Sequence, residues 1–278
     1  MRTAEVITAL GRSCHPLPTA VVTAAATVLA IAAGNTAGTC VLLAFAVLTG
    51  QLSVGWSNDR MDVERDRRVG HEGKPLAAGV VPLKVVDCAL VATVMSTTAL
   101  SLLLGWRPGL LHLAAVALAW AYNYRLKGTL LSWLPYAFGF GALPAVATLA
   151  LPGHPAPAGW IVACGALIGA AANFANALPG LAADPRSDVH GLPDRMGGHA
   201  SLIVAAVMLF ATSALVAIGP PSAPTAGTLI GATLAAALTI AGTPLYWNRA
   251  HTRQPFFGLL AVAPIQVLTI VLTAHPLH

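Results

Sequence analysis

Charge is scarce in this sequence: Asp, Glu, Lys and Arg together make up 9% of its 278 residues. So little charge excludes the solvated surface of an ordinary globular domain, on which charged residues are abundant. Cysteine is scarcer still. Cys14, Cys40, Cys88 and Cys164 stand singly, with no CxxC and no Cys/His spacing, which excludes a disulfide framework and a structural zinc site. No nucleic-acid-binding module is visible, so the net charge of +5 points to anionic headgroups or a phosphorylated ligand rather than to DNA or RNA. No small-residue cleavage site follows the first apolar segment, and no cleaved signal peptide is expected.

Apolar residues fill the space that charge leaves, at 56% of the chain with a mean hydropathy of +0.74. Spans of about 20 apolar residues cross a bilayer, and nine candidates follow one another. They are 18–33, 39–57, 83–105, 108–124, 129–151, 158–179, 200–219, 225–247 and 256–274. None alternates as barrel strands do, so the expected fold is all-α and integral to the membrane. With nine spans, fourteen of the fifteen Lys and Arg residues fall on the side of the N-terminus, Arg107 being the exception. The positive-inside tendency makes that side cytoplasmic, with the plasma membrane as the expected location. The chain is expected to form one domain over 1–278.

All ten acids lie on the same charge-rich side. Asn58, Asp62 and Asp66 recur every four residues where the second span ends, so on a continuing helix they share a face. Hard oxygen ligands so grouped suit Mg²⁺ completed by phosphate oxygens, which makes a diphosphate the natural guest. The chain continues with Arg65, Arg67, Arg68 and Lys74, side chains suited to phosphate. A second polar group follows the sixth span, where Asn173 and Asn176 lead to Asp184 and Asp188. Asn58, Asp62 and Asp66 map onto Asn176, Gly180 and Asp184 at a constant offset, which suggests a weak repeat of four helices plus four, followed by a ninth. Gly180 offers no side-chain ligand, and Asp188 supplies a carboxylate one turn further on. Arg125 and Lys127 emerge on this side after the fourth span, where Lys127 is placed to neutralise a departing diphosphate.

The run Asn58-Asp59-x-x-Asp62-x-x-x-Asp66 followed by Lys74-Pro75-Leu76-x-x-Gly79 resembles the first signature of the UbiA superfamily of intramembrane prenyltransferases. Tyr124-Arg125-Leu126-Lys127 resembles its YxxK element, Asn176 to Gly197 its second aspartate-rich region, and His15-Pro16 its first-helix entry. The resemblance implies a helical bundle around a cavity open to the lipid, Mg²⁺ bound by both aspartate motifs, and an isoprenyl diphosphate donor. On that reading Asn58, Asp62, Asp66, Asp184 and Asp188 hold Mg²⁺ diphosphate. Arg65, Arg68, Lys74 and Lys127 contact phosphate, Tyr124 and Asn176 border the substrate, and Asp59 serves acceptor or supporting chemistry.

The expected reaction is ionisation of a polyprenyl diphosphate and transfer of the prenyl group to an aromatic or lipophilic acceptor. A rival uses the same ionisation without an acceptor, as a terpene cyclase. Its cation would need aromatic walls, for which Phe45, Trp56, Trp133, Phe138 and Phe174 are available, though ordinary packing or interface anchoring accounts better for each. A cation-coupled transporter is a more distant alternative, because its ionisable groups belong near the bilayer midplane rather than at helix ends.

Overall fold

Glycine, proline and short polar turns punctuate the apolar runs, and between them the chain folds as helices. The computed structural model describes residues 3–68, 70, 73–179, 190–249, 254–274 and 277. Among these, the order is α1 (Thr3–Ser13), α2 (Pro16–Ala32), α3 (Ala37–Arg68), α4 (Leu83–Leu103), α5 (Trp106–Tyr124) and a 3₁₀ turn at Leu126–Gly128. There follow α6 (Leu134–Leu149), α7 (Gly159–Ala177), the short α8 (Leu192–Met196), α9 (Gly198–Ile218), α10 (Ala226–Trp247) and α11 (Gln254–Thr273).

Every expected span coincides with a helix, but not all of these helices have by themselves the length and hydropathy of a membrane span. Among the described residues six helices, α3, α4, α7, α9, α10 and α11, have the length and hydropathy to cross a membrane, and α1 with α2, bent by 64°, makes a seventh if the pair is counted as one span. The 16-residue α6 is too short on its own. Polar His112, Tyr122 and Asn123 interrupt the apolar run of α5. Side chains such as Leu103, Ile218 and Ile230 are more than 60% exposed, as expected of a surface that meets lipid.

Two features matter for the site, the first a departure from the sequence reading and the second the continuing helix that it expected. The N-terminal segment forms α1, too short and polar to register as a span, and Trp56 Nε1 donates to its Leu10 carbonyl at 2.9 Å. The second is the length of α3. Its 32 residues extend about 48 Å at the usual rise, well beyond a hydrocarbon core of about 30 Å. The turns from Asn58 to Arg68 therefore project past the apolar layer as a rigid polar extension.

The helices α6 and α7 meet along a seam of small residues. Gly165 and Gly169 stand one turn apart on α7, and a Cβ on Gly165 would lie 2.6 Å from the Phe140 carbonyl while one on Gly169 would overlap the Tyr136 carbonyl. This is the close backbone approach that a GxxxG spacing allows in membranes. Gly169→Ala should therefore cost about 1–3 kcal/mol through forced separation of the helices. Gly159→Ala, which enters open space, should be near neutral, and thermal unfolding of the two variants in detergent checks the difference.

Candidate active site

The acidic face of α3 is closed over by its own following loop. Leu76 is 1% exposed and packs in a cluster with Trp56, Val63, Val81 and Val86. The turn is tightened by Ala78 N–H to the Lys74 carbonyl and Val80 N–H to the Pro75 carbonyl, and Gly79 takes the positive φ of 72° that ends it. Burying Leu76 pulls Lys74 back onto α3. There its Nζ donates to Asp66 Oδ2 at 2.8 Å and stands 3.4 Å from Asp59 Oδ1.

A second cation arrives from the opposite side. Asn123, 3% exposed, donates to the Val54 carbonyl and to Ser57 Oγ at 2.8 and 2.7 Å, pinning the end of α5 to α3. The 3₁₀ turn that follows then carries Lys127 onto Asp62, to which it donates a hydrogen bond. Arg65 completes the group, 2.8 Å from Asp62 Oδ2 and 3.8 Å from Asp66 Oδ1. Three buried carboxylates, Asp59, Asp62 and Asp66, thus face three cations.

The two lysines are held differently. For Lys74, burial alone would lower the ammonium pKa, but Asp59, the hydrogen bond to Asp66 and the charges of Asp66 and Asp62 outweigh it and raise the value. For Lys127, burial, with Arg65 and Lys74 adding to it, outweighs the support of Asp62 and lowers the value.

At this charged end opens a pocket of about 340 Å³, within the usual range of small-molecule sites. It lies between α2, α3, α5, α6 and α7, with His15, Asn58, Tyr122, Lys127, Tyr136 and Asn176 among the residues lining it. His15 takes a left-handed φ of 54° at the bend between α1 and α2. Its Nε2 lies 3.4 Å from both Asn58 Nδ2 and Asp59 Oδ1. Asn176 Nδ2 donates to Tyr136 Oη at 3.5 Å.

The end of the second aspartate-rich region, from Gly191 onward, is docked on the turn that carries Lys127. Gly191 lies so close to the Lys127 turn that a Cβ there would stand 2.5 Å from the Lys127 carbonyl. Leu192 N–H donates to Ser132 Oγ at 3.1 Å, and Ser201 Oγ to the Pro193 carbonyl at 2.9 Å. Gly180, Asp184 and Asp188 lie outside the described residues.

Asp59, Asp62, Asp66, Arg65, Lys74 and Lys127 are gathered as the sequence reading expected, with Asn58 and Asn176 at the same mouth. Two expected residues are not. Tyr124 is 74% exposed and absent from the pocket wall, because on a helix it points well away from Tyr122, two residues earlier. Arg68 is exposed, its Nε donating to the Glu64 carbonyl at 3.4 Å. The five aromatic residues named for a cyclase wall take the packing or surface places that the sequence reading favoured for them. Phe45 and Phe138 are exposed, and Trp56 and Phe174 are buried in packing. Trp133 packs against the main core, and the aromatic rings on the pocket are those of Tyr122, Tyr136, Phe140 and Phe256. The missed residues share one signal: His112, Ala115, Val116, Ala119, Tyr122 and Asn123 recur at helical spacing along α5, and all line the pocket.

Among the described residues no group of three or more His, Cys, Asp or Glu is assembled to hold a metal ion. The donor set nevertheless fits Mg²⁺ in kind. It offers carboxylate oxygens on one helix face, and buried Asp59 Oδ1 has no hydrogen bond that satisfies it.

Three comparisons bear on this arrangement. Among curated proteins none matches the sequence. Several solved folds superpose over nearly the whole chain. One is a digeranylgeranylglyceryl phosphate synthase, with a TM-score of 0.73, 15% identity, and 97% of this chain and 99% of that one covered. Another is an apo UbiA homologue from Aeropyrum pernix K1, with a TM-score of 0.72, 21% identity and 98% of each chain covered. A third, from Archaeoglobus fulgidus and bound to GPP and Mg²⁺, gives a TM-score of 0.69 at 16% identity, covering 95% of this chain and 98% of that one. The sequence pattern of the UbiA prenyltransferase family matches residues 11–262. An all-helical membrane fold, an aspartate-rich helix end and that match together make this integral membrane protein a member of the UbiA prenyltransferase family.

Proposed function

We propose that the protein is a Mg²⁺-dependent prenyltransferase that ionises a prenyl diphosphate and delivers the allylic cation to an aromatic or lipophilic acceptor. The observation that carries this reading is the meeting of Asp59, Asp62 and Asp66 with Arg65, Lys74 and Lys127 at the mouth of an apolar pocket. The cluster is formally neutral, so a diphosphate would enter with divalent cations to offset its charge. Asn58, Asp62 and Asp66, joined by Asp184 and Asp188 of the second motif, would hold Mg²⁺, which when bound supplies Lewis-acid stabilisation of the leaving diphosphate.

The chain's own residues do the rest. Lys127, Lys74 and Arg65 turn from the carboxylates to the phosphate oxygens as charge builds on the leaving group. The apolar walls exclude water that would quench the cation, while Tyr122 and Tyr136 present ring faces or edges to it. Their centroids are 5.3 Å apart at an interplanar angle of 78°. Nine crossings, with α5 and α6 completed by their neighbours, would put the N-terminus and both motifs on the cytoplasmic side, and the pocket would open to lipid for its hydrophobic substrates.

The same aromatic lining favours a second reading, cyclisation of the donor without an acceptor. Purified protein with Mg²⁺ and C10 to C20 diphosphates, with and without phenolic acceptors, separates the two by mass spectrometry. An acceptor adduct is the expected product. Diphosphate release with hydrocarbon products from donor alone would favour cyclisation, and no diphosphate release from any donor would overturn both.

A further inference from the structure

One polar group on the pocket takes no part in the charged mouth. His112 of α5 is 5% exposed and lines the pocket. Its Nδ1 lies 2.7 Å from Ser101 Oγ, and that hydroxyl lies 2.5 Å from the Thr97 carbonyl, to which it donates its only proton. Ser101 can then only accept from the ring, so His112 carries its proton on Nδ1 and leaves the lone pair of Nε2 bare. The described residues provide no hydrogen bond to Nε2.

Its depth follows from the helix it faces. A Cβ on Gly50 would stand 3.3 Å from Nε2, which places the ring level with Gly50 of α3. Gly50 lies eight residues before Asn58 and twelve before Asp62, or about 12 and 18 Å along the axis. Along α5, the eleven residues to Asn123 give a similar depth of about 16 Å. His112 is therefore remote from the diphosphate end and close to where the tail of a bound chain would arrive. Around it the wall is apolar, with Val47, Ala115 and Val116 nearby and Gln51 as the other polar side chain at this depth.

We propose that His112 is a specificity-determining residue that disfavours donors long enough to cover its free Nε2. The inference rests on the prenyl diphosphate reading above. With ordinary carbon–carbon bonds an extended chain gains about 5 Å per isoprene unit. With C1 near Asn58, a C10 tail ends before His112, a C15 tail reaches it, and a C20 tail passes it. A hydrocarbon laid over the ring strips water from an acceptor and returns no hydrogen bond, the costly arrangement for a buried polar atom. The bland role of the Ser101 bond, clasping α4 to α5, leaves Nε2 out of account.

The test measures kcat/KM for C10, C15 and C20 diphosphates by diphosphate release from the full-length protein in detergent with Mg²⁺. Wild type should favour C10. His112→Leu, which removes the lone pair while keeping a side chain of similar bulk, should raise C15 and C20 relative to C10 by about tenfold, the scale of one unsatisfied buried acceptor. A C15 diphosphate with a terminal hydroxyl provides a measurement on the wild-type protein alone. It should be used better than plain C15, because its hydroxyl can donate to Nε2, and that advantage should reverse in His112→Leu.

The same length profile in both proteins, or no benefit from the terminal hydroxyl in wild type, would overturn the role of His112 while leaving the donor reading intact. No diphosphate release from any donor would remove the donor reading and this inference together. If His112→Leu does not fold, the hydroxylated donor decides.

Discussion

Asp62→Ala and Asp66→Ala are expected to lose diphosphate release by roughly 10²–10³-fold or more, the scale of removing a preorganised electrostatic stabiliser from an active site. Both carboxylates are buried on one face of α3, each held by a cation from a separate loop: Asp62 by Lys127 and Asp66 by Lys74. On the proposed reading, truncating either removes a ligand for Mg²⁺; Asp62→Ala also takes from Lys127 its hydrogen-bonded acid, whereas Asp66→Ala leaves Lys74 with Asp59 at 3.4 Å. The proteins should still elute as folded species from a sizing column, because the α3 helix is anchored by Trp56 and Leu76 rather than by the acids. A chelator should abolish the reaction in wild type as completely. Near-normal turnover by both variants, or turnover with chelator present, would sink the metal-diphosphate assignment. Asp184→Ala and Asp188→Ala should share the defect if the second motif uses that pair. Activation by Gly180→Asp would instead show that the unshifted register carries it.

Lys127→Ala should raise the donor KM or lower kcat by about tenfold or more, as expected for a lost charge-assisted contact. A purely structural role would predict something else, since removing the partner of Asp62 would lower stability and leave the kinetics of the folded fraction alone. Lys127→Arg discriminates further. It preserves the positive charge and should recover part of the donor affinity, whereas an interface anchor would show unchanged donor kinetics in both variants. Measuring donor KM and kcat beside thermal stability therefore assigns Lys127 to phosphate or to packing.

Much of the site was legible because charge is rare in this chain. Asn58, Asp62 and Asp66 stood out at helical spacing immediately after an apolar span, and the structure keeps that spacing by running α3 without a break to Arg68. Lys74 and Lys127 were named from their position and from the family resemblance, and both fall within reach of the acids. Tyr124 shows the other side. A Tyr next to Arg125 and three residues before Lys127 looks like a site residue in one dimension, but only the rotation of α5 decides that Tyr122 faces the pocket and Tyr124 does not. The aromatic rings that do line the pocket were not legible for the same reason, since an apolar helix carries no amphipathic contrast to say which ring faces lipid and which faces a cavity.

Composition and patterning by themselves determined the solvent of this protein, its helical class and the end at which its charges collect, because a bilayer penalises unpaired backbone and exposed charge wherever they occur. The tertiary structure decided what those charges meet. Leu76, buried 47 residues before the Asn123 clamp, draws Lys74 onto α3, and that clamp brings Lys127 from the other side. It also decided that α6 approaches α7 closely enough at Gly165 and Gly169 to set Tyr136 on the pocket wall, and that His112 turns a bare nitrogen toward the pocket's depth. These are contacts between residues distant in sequence, and they depend on helix rotation and close packing, quantities to which a run of similar apolar residues is nearly blind.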